Sequence, residues 1–123
     1  MKIAAILLCV SGLLLLAQQP PPELAGNFDI RFEPTAKLQT GVQVPFRISV
    51  KNDLNNPVVD AKVTLQIAML DGTHVQVFPA PAISPGVYIA KPIFPLAGEW
   101  NVYVEVHRRD KMSARTIQYS VPE

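Results

Sequence analysis

The stretch Gly98-Glu99-Trp100-Asn101-Val102-Tyr103-Val104-Glu105-Val106-His107 decides the fold. Trp100, Val102, Val104 and Val106 fall on one side of an extended chain, and Asn101, Tyr103, Glu105 and His107 on the other. A period of two sustained over eight residues predicts a half-buried strand, because a helix would scatter these valines around its axis. The same period recurs in both directions. Upstream, Phe28, Ile30 and Phe32 alternate with Asp29, Arg31 and Glu33. Val44, Phe46, Ile48 and Val50 repeat the pattern after Thr40-Gly41, with Pro45 marking an edge or bulge near that strand's start. Ala61, Val63, Leu65, Ile67 and Met69 share one face of a further strand. Asp71-Gly72 is a hairpin signal, followed by a short strand carrying Val75 and Val77. Pro79, Pro81 and Pro85 interrupt the chain before a strand over residues 86–91. Arg108-Arg109-Asp110-Lys111 reads as a polar turn, and Ile117, Tyr119 and Val121 face inward from the last strand. About seven short strands separated by turn residues, with no helical period after the leader, predict an all-β, immunoglobulin-like antiparallel β-sandwich. Trp100 is expected to anchor the core between the sheets.

The first 17 residues read differently. Met1-Lys2 precedes an apolar run from Ile3 to Ala17, broken only by Cys9, Ser11 and Gly12. A positive end followed by an apolar segment of this length is the layout of an export signal. A spanning helix needs roughly 20 apolar residues, so the segment is expected to be cleaved after Ala17, an uncleaved anchor being the alternative. Cys9 lies inside the apolar run without the small residue that precedes a lipidated cysteine, and is expected to be an ordinary part of the signal. Residues 18–26, with Pro20-Pro21-Pro22, form an extended spacer. Residues 27–123 form the folded domain. The expected location is outside the cytoplasm, periplasmic or extracellular, with membrane contact only through the N-terminal segment.

Composition narrows the function classes. The chain has 123 residues with 11 Lys+Arg and 10 Asp+Glu, and loss of Lys2 with the leader would leave the charges balanced. A neutral domain without a basic block lacks the phosphate-neutralising charge of a nucleic-acid binder. The single Cys lies in the leader, so the domain is expected to carry no disulfide and no thiol nucleophile. Ser49, Ser84, Ser113 and Ser120 stand in no nucleophile-elbow motif. Glu99 and Glu105, six residues apart on one strand, would lie roughly 20 Å apart, beyond a paired-carboxylate mechanism. Gly98-Glu99-Trp100 is no phosphate loop. The expectation is a non-enzymatic protein.

Two stretches carry a family resemblance. Asn56-Pro57-Val58-Val59-Asp60-Ala61-Lys62-Val63-Thr64-Leu65 has the form N-P-V-x-x-A-x-V-x-L. It is followed at the right distance by Gly86-Val87-Tyr88 and by Pro95-Leu96-Ala97-Gly98-Glu99-Trp100. Together they resemble the YtkA-like domain and the related FixH-like proteins, exported or membrane-tethered β-sandwich modules of bacteria; the first stretch alone would suit many immunoglobulin-like modules. The resemblance covers roughly residues 28–121. It implies a binding or accessory module of the cell envelope with an envelope protein as partner and no cofactor.

The resemblance also implies an alternative. Members of the family often carry Met and His at the end of the third strand and in the loop after it, which places them near copper proteins. Here Met69 and His74 hold those positions, and their soft thioether and imidazole donors suit copper. The plain reading makes Met69 a core filler and His74 an exposed residue. His107, with Met112 in the next turn, is a further metal-ligand candidate whose plain reading is a solvated residue. The 108–111 turn could meet an acidic partner or lipid head group, and Tyr103 and Phe78 are expected to be outward aromatics.

Overall fold

The computed structural model describes residues 27–123, and the leader and spacer expected over 1–17 and 18–26 lie outside the described residues. Eight strands follow in order: β1 (Asp29–Pro34), β2 (Phe46–Lys51), β3 (Lys62–Met69), β4 (Gln76–Pro79), β5 (Ala82–Ser84), β6 (Val87–Ala90), β7 (Gly98–Arg108) and β8 (Lys111–Val121). They form two four-stranded sheets of order β1-β2-β6-β5 and β4-β3-β7-β8, with every pairing antiparallel. β1, β2, β6 and β5 occupy the A, B, E and D positions of an immunoglobulin sheet. β3, β7 and β8 occupy C, F and G, with β4 added beside C. The strand beyond the seven expected is β5, three residues held between Pro81 and Pro85 that pair with β6. Its prolines were legible as breakers, whereas its partner was not.

Side chains alternate as the period of two requires. β2 and β7 bury every second residue, and Phe46, Ile48, Val50, Leu65, Ile67, Trp100, Val102, Val104 and Val106 are fully buried between the sheets. No polar or charged residue is buried among the described residues. One end of this core is aromatic. The Trp100 and Phe94 rings meet edge to face at 5.3 Å, Phe94 continues to Phe46 at 6.3 Å, and Phe46 meets Tyr119 edge to face at 5.4 Å. Such tilted contacts suit ring quadrupoles.

Two expectations need correction here. Phe78 is not an outward aromatic: it pairs with Leu65, whose side chain points inward, so Phe78 takes the same side and packs half-buried against the core. The strand expected from Val44 begins only at Phe46. Val44 is still buried, but its amide bonds Pro92 O at 2.9 Å and so ties the β1–β2 connection to the β6–β7 connection.

The two stretches that carry the family resemblance lock together. The Tyr88 hydroxyl donates to Val58 O at 2.7 Å, and Val58 N donates to Val50 O at 3.0 Å. Gly86, at φ +75°, sits so close to Pro57 that a Cβ there would stand 2.6 Å from the Pro57 Cβ. The motif residues thus fasten the β2–β3 connection to the start of β6. Their role is architectural.

Candidate functional site

Three connections meet at one end of the sandwich: residues 35–45, 70–75 and 91–97. The described chain starts at the other end, near the β7–β8 hairpin, where Phe28 N donates to Ser113 Oγ at 3.4 Å. Met69 and His74 both belong to the first of these ends. Met69 is the last residue of β3 and faces Trp100 across the ladder. Its amide donates to Thr73 O at 2.9 Å and its carbonyl accepts from Gly72 N at 2.8 Å, so residues 70–72 close a three-residue hairpin with Gly72 left-handed at φ +85°. The hairpin signal at Asp71-Gly72 is therefore realised, with a longer loop than two residues.

His74 then occupies a bulge. Met69 bonds Thr73 and Ile67 pairs with Gln76, so two residues, His74 and Val75, stand opposite the single Ala68. An extra residue bends the strand and re-aims a side chain, and His74 takes the left-handed φ of 57° that the bend needs. Its ring consequently lies edge-on to Trp100, with centroids 6.4 Å apart. The loop also engages the imidazole. Thr73 Oγ1 donates its one proton to Asp71 Oδ1 at 2.6 Å, and His74 Nδ1 lies 3.0 Å from Thr73 Oγ1. Since that hydroxyl has no proton left to give, the contact is satisfied with Nδ1–H as the donor. The Thr73 side-chain hydroxyl, and then its amide, hold the Asp71 carboxyl below its ordinary value of 3.8, with the nearby His74 adding to the effect.

The structure therefore brings Met69 and His74 to one indole. Met69 is half-buried, with its methyl only 2.9 Å from where a Cβ on Gly98 would stand. On the three connections at this end Val42, Leu70, Val75, Ile93 and Leu96 are exposed, each by 39–52%. They are held in place from below: Trp100 Nε1 donates to Leu96 O at 3.0 Å, Gly41 N to Phe94 O at 2.9 Å, and Leu70 N to Glu99 O at 3.3 Å. The rim was missed in the sequence because these apolar residues lie in three separate connections with no shared period.

The other candidates are elsewhere. His107 faces solvent on the outer face of β7, seven residues from Trp100, roughly 23 Å along the strand, so it joins no site with His74. Met112 is its cross-strand neighbour on β8. Glu105 binds the His107 ring and accepts the Tyr103 hydroxyl at 2.6 Å. Burial, then Glu105, pushes the Tyr103 phenol up to about 12, and the Tyr103 hydroxyl, then the His107 ring, draws Glu105 below its ordinary value. Glu99 is engaged separately, accepting from Ser120 Oγ at 2.5 Å and Gln118 Nε2 at 3.1 Å. Arg108–Lys111 close the β7–β8 hairpin at the opposite end, where Arg108 Nε donates to Val59 O at 2.7 Å. Among the described residues, no three His, Cys, Asp or Glu side chains converge as metal ligands.

Strand order and core define the class: an immunoglobulin-like β-sandwich of two four-stranded sheets, with an aromatic-floored rim of loops at one end. The chain belongs to the YtkA-like family, whose profile matches residues 23–105, a span that includes Met69, His74 and both motif stretches. No curated protein matches the sequence. Among solved structures, a DUF4426 family protein from Pseudomonas aeruginosa PAO1 is similar with a TM-score of 0.50 and 14% identity. That match covers 78% of this chain and 91% of the other, and it supports the fold. A lipoprotein from Bacteroides thetaiotaomicron matches with a TM-score of 0.41 and 17% identity, over 86% of this chain and 83% of its own.

Proposed function

We propose that the protein is a non-catalytic binding module of the bacterial cell envelope, exported by its N-terminal segment, which meets a protein partner through the loop rim around Trp100. The observation that carries this reading is that Val42, Leu70, Val75, Ile93 and Leu96 are exposed on the three connections at the end of the sandwich that holds His74. Five of the nine exposed large apolar side chains among the described residues stand at this end. Clustered exposed apolar surface on a rigid scaffold is the usual form of a protein-binding site. Cysteine footprinting tests the reading, with Cys9→Ser removing the one native thiol. Leu70→Cys and Leu96→Cys should react with maleimide in the purified chain and be protected in cells, while Arg47→Cys on the outer face of β2 reacts in both. Equal reactivity of all three in cells would refute it.

A second reading is favoured by the His74 geometry. The His74 Nδ1 is engaged by Thr73 Oγ1 and its ring lies against Trp100, the cross-strand partner of Met69, so an imidazole and a thioether, donors suited to a soft cation such as Cu(I), share one end of the sandwich. Titration with Cu(I) against a competing chelator, reading Trp100 fluorescence, tests it. One-to-one binding lost in both His74→Ala and Met69→Leu supports a copper-handling role, and unchanged fluorescence rejects it.

A further inference from the structure

We propose that the free edge of β8 pairs antiparallel with β8 of a second copy of this chain, about a two-fold axis at Thr116, joining two sheets into one of eight strands. Four strand edges are open in the sandwich, and three are guarded. β4 and β5 have four and three residues and are flanked or ended by Pro79, Pro81 and Pro85. β1 alternates Asp29, Arg31 and Glu33 on its outer side. Its edge carbonyls are already taken, Ile30 O by Arg115 Nη1 at 2.8 Å and Phe32 O by the Tyr119 hydroxyl at 3.5 Å. Prolines, shortness and charge are the ordinary guards of an edge.

β8 has none of these. It runs for 11 residues without proline, pairs with β7 alone, and carries no charge after Lys111 except Arg115. Arg115 reaches inward to β1 and leaves the outer row to Met112, Ala114, Thr116, Gln118 and Ser120, all uncharged. Register decides whether a second copy fits. Full antiparallel overlap of Lys111–Val121 with itself centres on Thr116 and sets Ala114 opposite Gln118, Met112 opposite Ser120, Arg115 opposite Ile117 and Lys111 opposite Val121. No like charges face each other, and a Thr–Thr pair sits on the axis, a favourable cross-strand contact. A register shift of two residues, which centres the axis on Arg115, would oppose two guanidiniums. A two-fold axis makes this contact closed and self-limiting, so it gives a dimer rather than a fibre.

Cross-linking in envelopes of cells expressing the full chain tests the pairing, in a Cys9→Ser background. Thr116→Cys places its thiols directly opposite, within disulfide reach, whereas Ala114→Cys or Gln118→Cys leaves like thiols roughly 13 Å apart. Mild oxidation, or a short bismaleimide, should give about tenfold more dimer from Thr116→Cys than from either of the others. These positions are exposed or at a strand edge, so the variants should fold, and thermal unfolding of each confirms it. As a second measurement, Thr116→Lys opposes two ammonium groups and should shift sedimentation of the purified full chain in detergent from dimer to monomer. Equal cross-linking at all three positions, no dimer from Thr116→Cys, or an unshifted Thr116→Lys variant overturns the proposal.

Discussion

Replacing Gly86 by alanine should unfold much of this domain's stability margin, and the structure separates the two reasons. Gly86 has φ +75°, which an L side chain adopts at a cost of about 1–2 kcal/mol. The added Cβ would also meet Pro57 Cβ at 2.6 Å, and Pro57 Cα and Val50 O at 3.1 Å. All three belong to backbone or to a rigid ring, so relief requires the β2–β3 connection to move, an overpacking cost of about 1–3 kcal/mol. The sum is about 2–5 kcal/mol, against a total stability of about 5–15 kcal/mol for a domain this size. Gly72 supplies the control: its φ is +85°, but a Cβ there meets nothing within 4 Å. Gly72→Ala should therefore lose only the backbone part, about 1–2 kcal/mol. Thermal unfolding followed by circular dichroism reads the difference. For a domain of about 100 residues each kcal/mol shifts Tm by about 4–8 °C, so Gly86→Ala should melt at least about 8 °C below wild type and clearly below Gly72→Ala. Equal melting of the two variants would refute the claim that Pro57 and Gly86 are locked by contact.

Tyr88→Phe removes the hydroxyl that bonds Val58 O at 2.7 Å and leaves that carbonyl unpaired, which should lower stability by about 1–3 kcal/mol in urea unfolding. Glu105 is held below its ordinary 4.5 by the Tyr103 hydroxyl and then the His107 ring, so its ionised form stabilises the fold above the unfolded value and that contribution is lost as pH falls through the lower folded value. The stability gap between wild type and Glu105→Gln should be full at pH 6 and should shrink below pH 4.5. In the same variant the Tyr103 phenol should titrate below its position of about 12, read by ultraviolet absorbance at alkaline pH. Trp100 is the one tryptophan and is fully buried beside His74, so His74→Ala should change its emission intensity while His107→Ala leaves it unchanged.

Much of the fold was legible because alternation is a local signal. Trp100, Val102, Val104 and Val106 announced β7 through their spacing alone, and all four are buried as that spacing requires. β5 escaped because three residues between prolines cannot display a period, and Phe78 was misplaced because β4 is too short to fix which side faces the core. The site was legible only in fragments. Met69 and His74 could be marked from residue type and position, but their common neighbour could not, since the contact depends on a bulge opposite Ala68 that arises from pairing between strands. The apolar rim had no sequence signature at all: Val42, Ile93 and Leu96 acquire meaning only when two connections are tied together by Val44–Pro92 and Gly41–Phe94 bonds. The motif residues Pro57, Gly86 and Tyr88 stood out most clearly in the sequence, and they hold the scaffold together away from the rim.

Site-specific photo-cross-linking in living cells reads which surface meets a partner. A photoreactive residue at Leu70 or Leu96 should yield a discrete adduct with an envelope protein, and the same probe at Arg47 or at Arg109 on the opposite hairpin should not. Adducts from Arg47 or Arg109 with none from the rim would contradict the account and move recognition to the outer sheet face or to the hairpin end.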